Sequence, residues 1–322
     1  MEKDRFYIPE TISDEAKAVL KTFKASDRSA INAPAVDDLE GWAKLNALVD
    51  GLRHQMNDDV VKAYEPTIEK KKIGGVSVVD VKPKGWQDNG KVMVFIHGGA
   101  YTFYFAETTL FFPVPVAHEA NLRVVSVEYS LAPAAKWEQI VNECYSVLTA
   151  LMSEYGAENV VLAGLSAGGG LAGGLIHKLN DNNQPLPNSL VLISPWSDIT
   201  ETGDSYQTLK EAEPLYLYDK ILKPCADAYA KPEDQKHPYI SPVYGDFSKC
   251  FPPTLIQGGT KESFLSNFVR LYQKIESSGG SAKLDLYEGM WHVFQEFWHF
   301  PESKEARRKI TDFLKTQLNY EG

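Results

Sequence analysis

The sequence predicts an α/β fold: an eight-stranded, mostly parallel sheet flanked by helices, with a helical cap. Three observations predict it. Short β-rich runs alternate with helical stretches from about Pro66 onward, several of those runs are apolar at consecutive positions, and the stretch 200–245 breaks the rhythm. Alternating strands and helices point to a parallel sheet, and consecutive apolar residues suit strands covered by helices on both faces.

Residues 1–60 read as polar helices, with apolar positions at helical spacing in Ala16, Val19, Leu20 and Phe23, then in Leu39, Trp42, Leu45 and Leu48. Strands are expected at 67–73, 76–82, 91–97, 122–129, 159–165, 188–194, 253–258 and 282–288. Helices fit 134–152, 168–180, 262–277 and 303–318. The stretch 200–245 is acidic and contains Tyr and Pro, as in EAEPLYLYDK, which marks an insertion above the sheet. The expected organisation is an N-terminal part of the cap at 1–60, a first core part at 61–199, a cap insertion at 200–245 and a second core part at 246–322.

With 322 residues, 43% apolar and 24% charged, the chain has a core-forming composition. Its 33 Lys+Arg against 43 Asp+Glu give a net charge of −10, which repels phosphate backbones and anionic lipid. No nucleic-acid and no membrane partner is expected. Cys144, Cys225 and Cys250 fit neither a disulfide framework nor a zinc site and read as buried thiols. The start, MEKDRFYIPE, is charged where a signal peptide is apolar, and no run of about 18 apolar residues occurs, so a cytoplasmic location is expected.

The run Glu158 to Gly170 reads as a strand, a sharp turn and a glycine-rich helix start containing G-x-S-x-G. Small neighbours let a serine occupy the strained turn, which lifts Ser166 above the strand end at the positive pole of a helix. Upstream, the strand KVMVFIH ends in His97-Gly98-Gly99-Ala100-Tyr101, close to the glycine-rich oxyanion motif of lipases and esterases. Backbone N–H groups there, with that of Ala167, are the expected oxyanion donors; one such donor is typically worth about 2.7–4 kcal/mol in the transition state.

Five segments, in order, carry a resemblance to a family: His97-Gly98-Gly99-Ala100, Glu128-Tyr129-Ser130-Leu131-Ala132-Pro133, Gly164-Leu165-Ser166-Ala167-Gly168-Gly169, Ile193-Ser194-Pro195-Trp196-Ser197-Asp198 and Gly289-Met290-Trp291-His292-Val293-Phe294. The chain resembles the hormone-sensitive-lipase-like branch of the α/β-hydrolase esterases from about residue 75 to 315. The resemblance implies the α/β-hydrolase fold, an oxyanion hole of Gly98, Gly99 or Ala100 and Ala167, and room for a homodimer. Three departures stand out: Ala100 replaces the last glycine, Ser130 an arginine, and Leu165 an acidic residue.

A serine at its free pKa needs a base and a carboxylate to orient it. His292 follows the last expected strand, where the hydrolase order Ser, Asp/Glu, His places the base. His299 reads as part of an aromatic packing face, and His97 as a residue ordering the glycine loop. The resemblance puts Lys261 on the family's aspartate position, a job lysine cannot do. Glu262 is next, and its extra methylene recovers the reach, so it is the expected acid; Asp285, Glu288, Asp198 and a water-assisted Ser–His dyad stay open.

Tyr101, Trp196 and Trp291 are expected around a crowded aromatic pocket that favours a small acyl group. No cofactor and no metal are implied, because H-E-x-x-H and phosphate-loop patterns are absent. The expected activity is a serine carboxylesterase acting on small esters through an acyl-enzyme. The open alternatives are a lactone hydrolase with the same triad and a small-molecule receptor on the same fold, as in plant gibberellin receptors, which the resemblance implies lose the histidine.

Overall fold

The computed structural model describes residues 4–320. Four helices lead, α1 (Asp14–Leu20), α2 (Asp27–Ala30), α3 (Leu39–Gly51) and α4 (His54–Tyr64), followed by strands β1 (Thr67–Ile73), β2 (Val76–Lys82) and β3 (Val92–Ile96). Then come α5 (Pro113–Ala120), β4 (Arg123–Val127), α6 (Trp137–Tyr155), β5 (Val160–Leu165), α7 (Ala167–Asp181) and β6 (Ser189–Ile193). The short helices α8 (Ser205–Thr208) and α9 (Lys223–Tyr229) precede β7 (Thr254–Gly259), α10 (Leu265–Ser277), β8 (Ala282–Tyr287) and α11 (Pro301–Leu318).

The eight strands form one sheet in the order β1-β2-β4-β3-β5-β6-β7-β8, parallel except where β2 pairs with β1 and β4. Strands β3, β4, β5 and β6 are buried along their whole length. Alternate residues explain it: Val92, Val94 and Ile96 face the core layer of α6, α7 and α10, while Met93 and Phe95 face that of α5 and α11. Both faces are dry, so the strand code is apolar throughout. A third cluster sets Phe6, Ile12, Ala16 and Leu20 against Trp291, Phe294 and Phe300, so α1 packs behind the loop that carries His292.

Two expectations are corrected. Leu39 and Leu48 do not face the core; they are 54% and 66% exposed, and α3 buries Asn46 and Asp50 beside the expected Trp42. The helix docks on loop backbone, which polar side chains satisfy and leucines do not. Cys144 and Cys225 are buried, but Cys250 is exposed, just before β7. Among the described residues no helix is long and apolar enough to cross a membrane.

Candidate active site

Strand β5 ends at Leu165 and α7 begins at Ala167, so Ser166 makes the reversal. Its backbone sits at φ 55°, ψ −119°, a conformation costing of order 1–3 kcal/mol that persists only where surroundings enforce it. The enforcement is backbone against backbone. A Cβ on Gly164 would meet the Gly168 carbonyl oxygen at 2.1 Å, and one on Gly168 would meet that of Ile96 at 2.1 Å. Ser166 N–H also donates to Ile193 O at 2.8 Å, tying the turn to the end of β6.

His292 reaches this serine from the loop after β8. Its Nε2 lies 2.9 Å from Ser166 Oγ and its Nδ1 lies 2.8 Å from Glu262 Oε2. An Nδ1–H bonded to a carboxylate leaves the Nε2 lone pair facing the hydroxyl. Glu262, just past β7, is fully buried; its Oε1 accepts from Gly259 N–H at 2.6 Å and from Ser194 Oγ at 2.8 Å. Ser194 Oγ also accepts from Val293 N–H at 3.2 Å, so one hydroxyl joins the carboxylate to the histidine loop.

Lys261 turns away from the site and donates to Tyr7 O at 2.8 Å. The other candidate carboxylates are engaged elsewhere: Asp285 with Lys309 at 2.7 Å and Gln257 at 3.0 Å, Glu288 with Thr11, and Asp198 with Thr200 and Arg270. His299 is exposed beside the rings of Trp298 and Phe300.

The glycine loop follows β3. Gly99 has φ 111°, and a Cβ there would meet Phe103 O at 2.1 Å, so only glycine fits. Ala100, Tyr101 and Tyr104 carry φ of 51°, 66° and 68°, three left-handed non-glycine residues within five positions. Among the described residues no backbone acceptor takes the N–H of Gly99, Ala100 or Ala167, and Gly98 packs against Leu165 and Ser166. Free amides beside a nucleophile are the donors an oxyanion requires. His97 stacks on Tyr129 at 4.2 Å, with Nδ1 2.7 Å from Gly98 O. Burial pulls its pKa down to about 4, so the ring is neutral.

The three rings expected around the pocket are packed into the interior instead, each with essentially no exposure. Tyr101 lies flat on Tyr229 at 3.8 Å and on Trp196 at 5.6 Å, while Trp291 meets Phe23 edge-on at 5.5 Å. Rings of this size bury most area against one another. The rings that touch the imidazole are Tyr216 at 5.1 Å and Phe264 at 5.0 Å. Neither they nor Ser194 has a role in the sequence reading, although Ser194 lies within one of the five segments. No cluster of three or more His, Cys, Asp or Glu residues able to hold a metal occurs among the described residues.

The alpha/beta hydrolase fold family matches residues 93–296. An acetyl-hydrolase of Streptomyces hygroscopicus is 31% identical over 235 residues, covering 71% of this chain and 77% of that one. An esterase of Acinetobacter venetianus is 27% identical over 276 residues, covering 84% and 90%. Among solved structures, esterase E25 superposes with a TM-score of 0.90 at 28% identity, covering 99% of this chain and 98% of its own. A hormone-sensitive-lipase homologue from a metagenome library, EstE7, does so with 0.76 at 27% identity, covering 84% and 93%.

Proposed function

This chain belongs to the hormone-sensitive-lipase-like branch of the α/β-hydrolase family and is a serine ester hydrolase; on that premise we propose that it cleaves small, short-acyl carboxylic esters with Ser166 as nucleophile, His292 as base and Glu262 as acid. The carrying observation is the unbroken line from Glu262 Oε2 through the imidazole to Ser166 Oγ, at 2.8 and 2.9 Å. Ser166 Oγ bonds to the ester carbonyl carbon as its proton passes to His292 Nε2. The N–H groups of Gly98, Gly99, Ala100 and Ala167 take the charge on the carbonyl oxygen. Collapse expels the alcohol, which receives the proton from Nε2; a water then repeats the sequence on the acyl-enzyme and releases the acid.

The short-acyl preference is supported by how closed the centre is. Ser166 is 7% and His292 9% exposed, with Tyr216 and Phe264 against the imidazole. Residues 1–60 and 200–245 form the cap in this reading, and Arg28 joins the two by donating to the Lys210 and Glu213 carbonyls at 2.5 and 2.9 Å. The test is hydrolysis of p-nitrophenyl esters from acetate to palmitate by the wild type, Ser166→Ala and Glu262→Gln. Serine-dependent activity that is greatest on short chains and collapses in Glu262→Gln is expected. Turnover that survives Ser166→Ala, or that peaks on palmitate, overturns the corresponding part.

A further inference from the structure

Four residues of the N-terminal segment, Asn46 and Asp50 of α3, Arg53 at the junction and Asn57 of α4, all meet the loop that leaves the glycine motif. Asn46 Oδ1 accepts from Tyr104 N–H at 2.8 Å, Asp50 Oδ1 accepts from Thr108 Oγ1, and Asn57 both donates to Glu107 O and accepts from Leu110 N–H, each at 2.8 Å. Asn46, Asp50 and Asn57 are buried. The Arg53 guanidinium carbon lies over the Tyr104 ring at 4.2 Å from its centroid and over that of Phe111 at 5.2 Å, and the guanidinium pairs with the buried carboxylate of Glu296. Glu296 stands four residues beyond His292, in the same loop. The end of α3, the junction and the start of α4 therefore grip the loop of the oxyanion donors and, through Arg53, the loop of the base.

Hydrogen bonds of this kind specify a position where apolar contacts would allow sliding. The loop needs such specification, since Ala100, Tyr101 and Tyr104 hold left-handed backbone that alanine and tyrosine seldom adopt. We infer that Arg53, with Asn46, Asp50 and Asn57, is a positioning device that sets the oxyanion loop against the histidine loop. The inference rests on the triad and oxyanion assignments above. Arg53 touches no reacting atom; it acts through Tyr104 and Glu296.

The experiment compares Arg53→Met, Arg53→Lys and Asn46→Ala with the wild type and Ser166→Ala on p-nitrophenyl acetate. Rates are expressed per active site titrated with a p-nitrophenyl alkylphosphonate, and thermal melts are recorded alongside. Because a shift of about 1 Å costs on the order of 100-fold, Arg53→Met is expected to lower kcat about 10- to 100-fold with KM within about threefold. Arg53→Lys keeps a charge for Glu296 without the planar guanidinium over Tyr104 and is expected to recover part of the rate. Asn46→Ala is expected to lower kcat by a smaller factor. If Arg53→Met does not fold, Asn46→Ala and Arg53→Lys decide.

Values of kcat per titrated site within about twofold of wild type in the folded variants, whatever their melting points, overturn the inference. Loss of turnover in Ser166→Ala with unchanged Arg53 and Asn46 variants removes this inference alone. Turnover that survives Ser166→Ala removes the parent assignment.

Discussion

The turn at Ser166 and the loop after Gly98 face each other across the site, yet they are held in opposite ways. The serine turn is fixed by backbone against backbone, with Gly164 and Gly168 in one short motif and Ile96 and Ile193 at the ends of the neighbouring strands. The oxyanion loop is fixed by side chains from far away: Asn46, Asp50, Arg53 and Asn57 upstream, and Glu128 downstream, whose Oε2 accepts from Ala106 N–H at 2.9 Å. Steric constraint tolerates no added atom, whereas a polar clamp loses its contacts one at a time. The first should fail abruptly under mutation and the second by degrees.

The largest expected effect lies on the serine side. Gly168→Val places branched bulk where even a Cβ would sit 2.1 Å from Ile96 O, so soluble expression and ester turnover should both be lost; a folded, active variant would break the comparison. Next is Ser194→Ala, which takes one of the donors from Glu262 Oε1 and the acceptor from Val293 N–H. A hydrogen bond to a charged group is worth about 1.5–3 kcal/mol, so the melting point should drop, and kcat should fall about tenfold in the fraction that stays folded. Asn57→Ala removes two hydrogen bonds of the clamp and is expected to lower stability by about 1–3 kcal/mol in urea melts, with graded rather than total loss of activity.

A further effect is a pH dependence. Burial, aided by the charges of Glu107 and Asp50, lifts the Glu128 carboxyl from its ordinary 4.5 to about 7, against the opposing pull of Ala106 N–H and Lys70. The folded chain therefore keeps a proton that the unfolded chain has lost, and stability should decline as pH rises from about 4.5 to about 7 and level off above. Glu128→Gln should flatten that slope. A slope equal to that of the wild type would show that the proton sits elsewhere.

The same contrast explains what the sequence made legible. The strands were readable to within about two residues, the central ones because burial on both faces demands consecutive apolar residues. The serine turn was readable because the residues that answer its steric demands, Gly164 and Gly168, lie four positions apart in one motif. The clamp was not, since the partners of Asn46 and Asp50 are loop groups some 58 residues away, and the leucines beside them suggested the wrong face. Tyr216 carried no signal either, for nothing in EAEPLYLYDK marks which ring meets the imidazole. The offset between Lys261 and Glu262 was readable as chemistry, since only one of the two side chains is a carboxylate. Where each points needed the backbone past β7.

The most direct measurement is the acylation rate of Glu262→Gln against wild type in stopped flow, using p-nitrophenyl acetate and titrated active sites. If Glu262 orients His292, the amide should slow acylation by about 10²–10⁴-fold while the folded state and the number of titratable sites persist. Acylation within about threefold of wild type would contradict the assignment and leave the serine with its histidine alone.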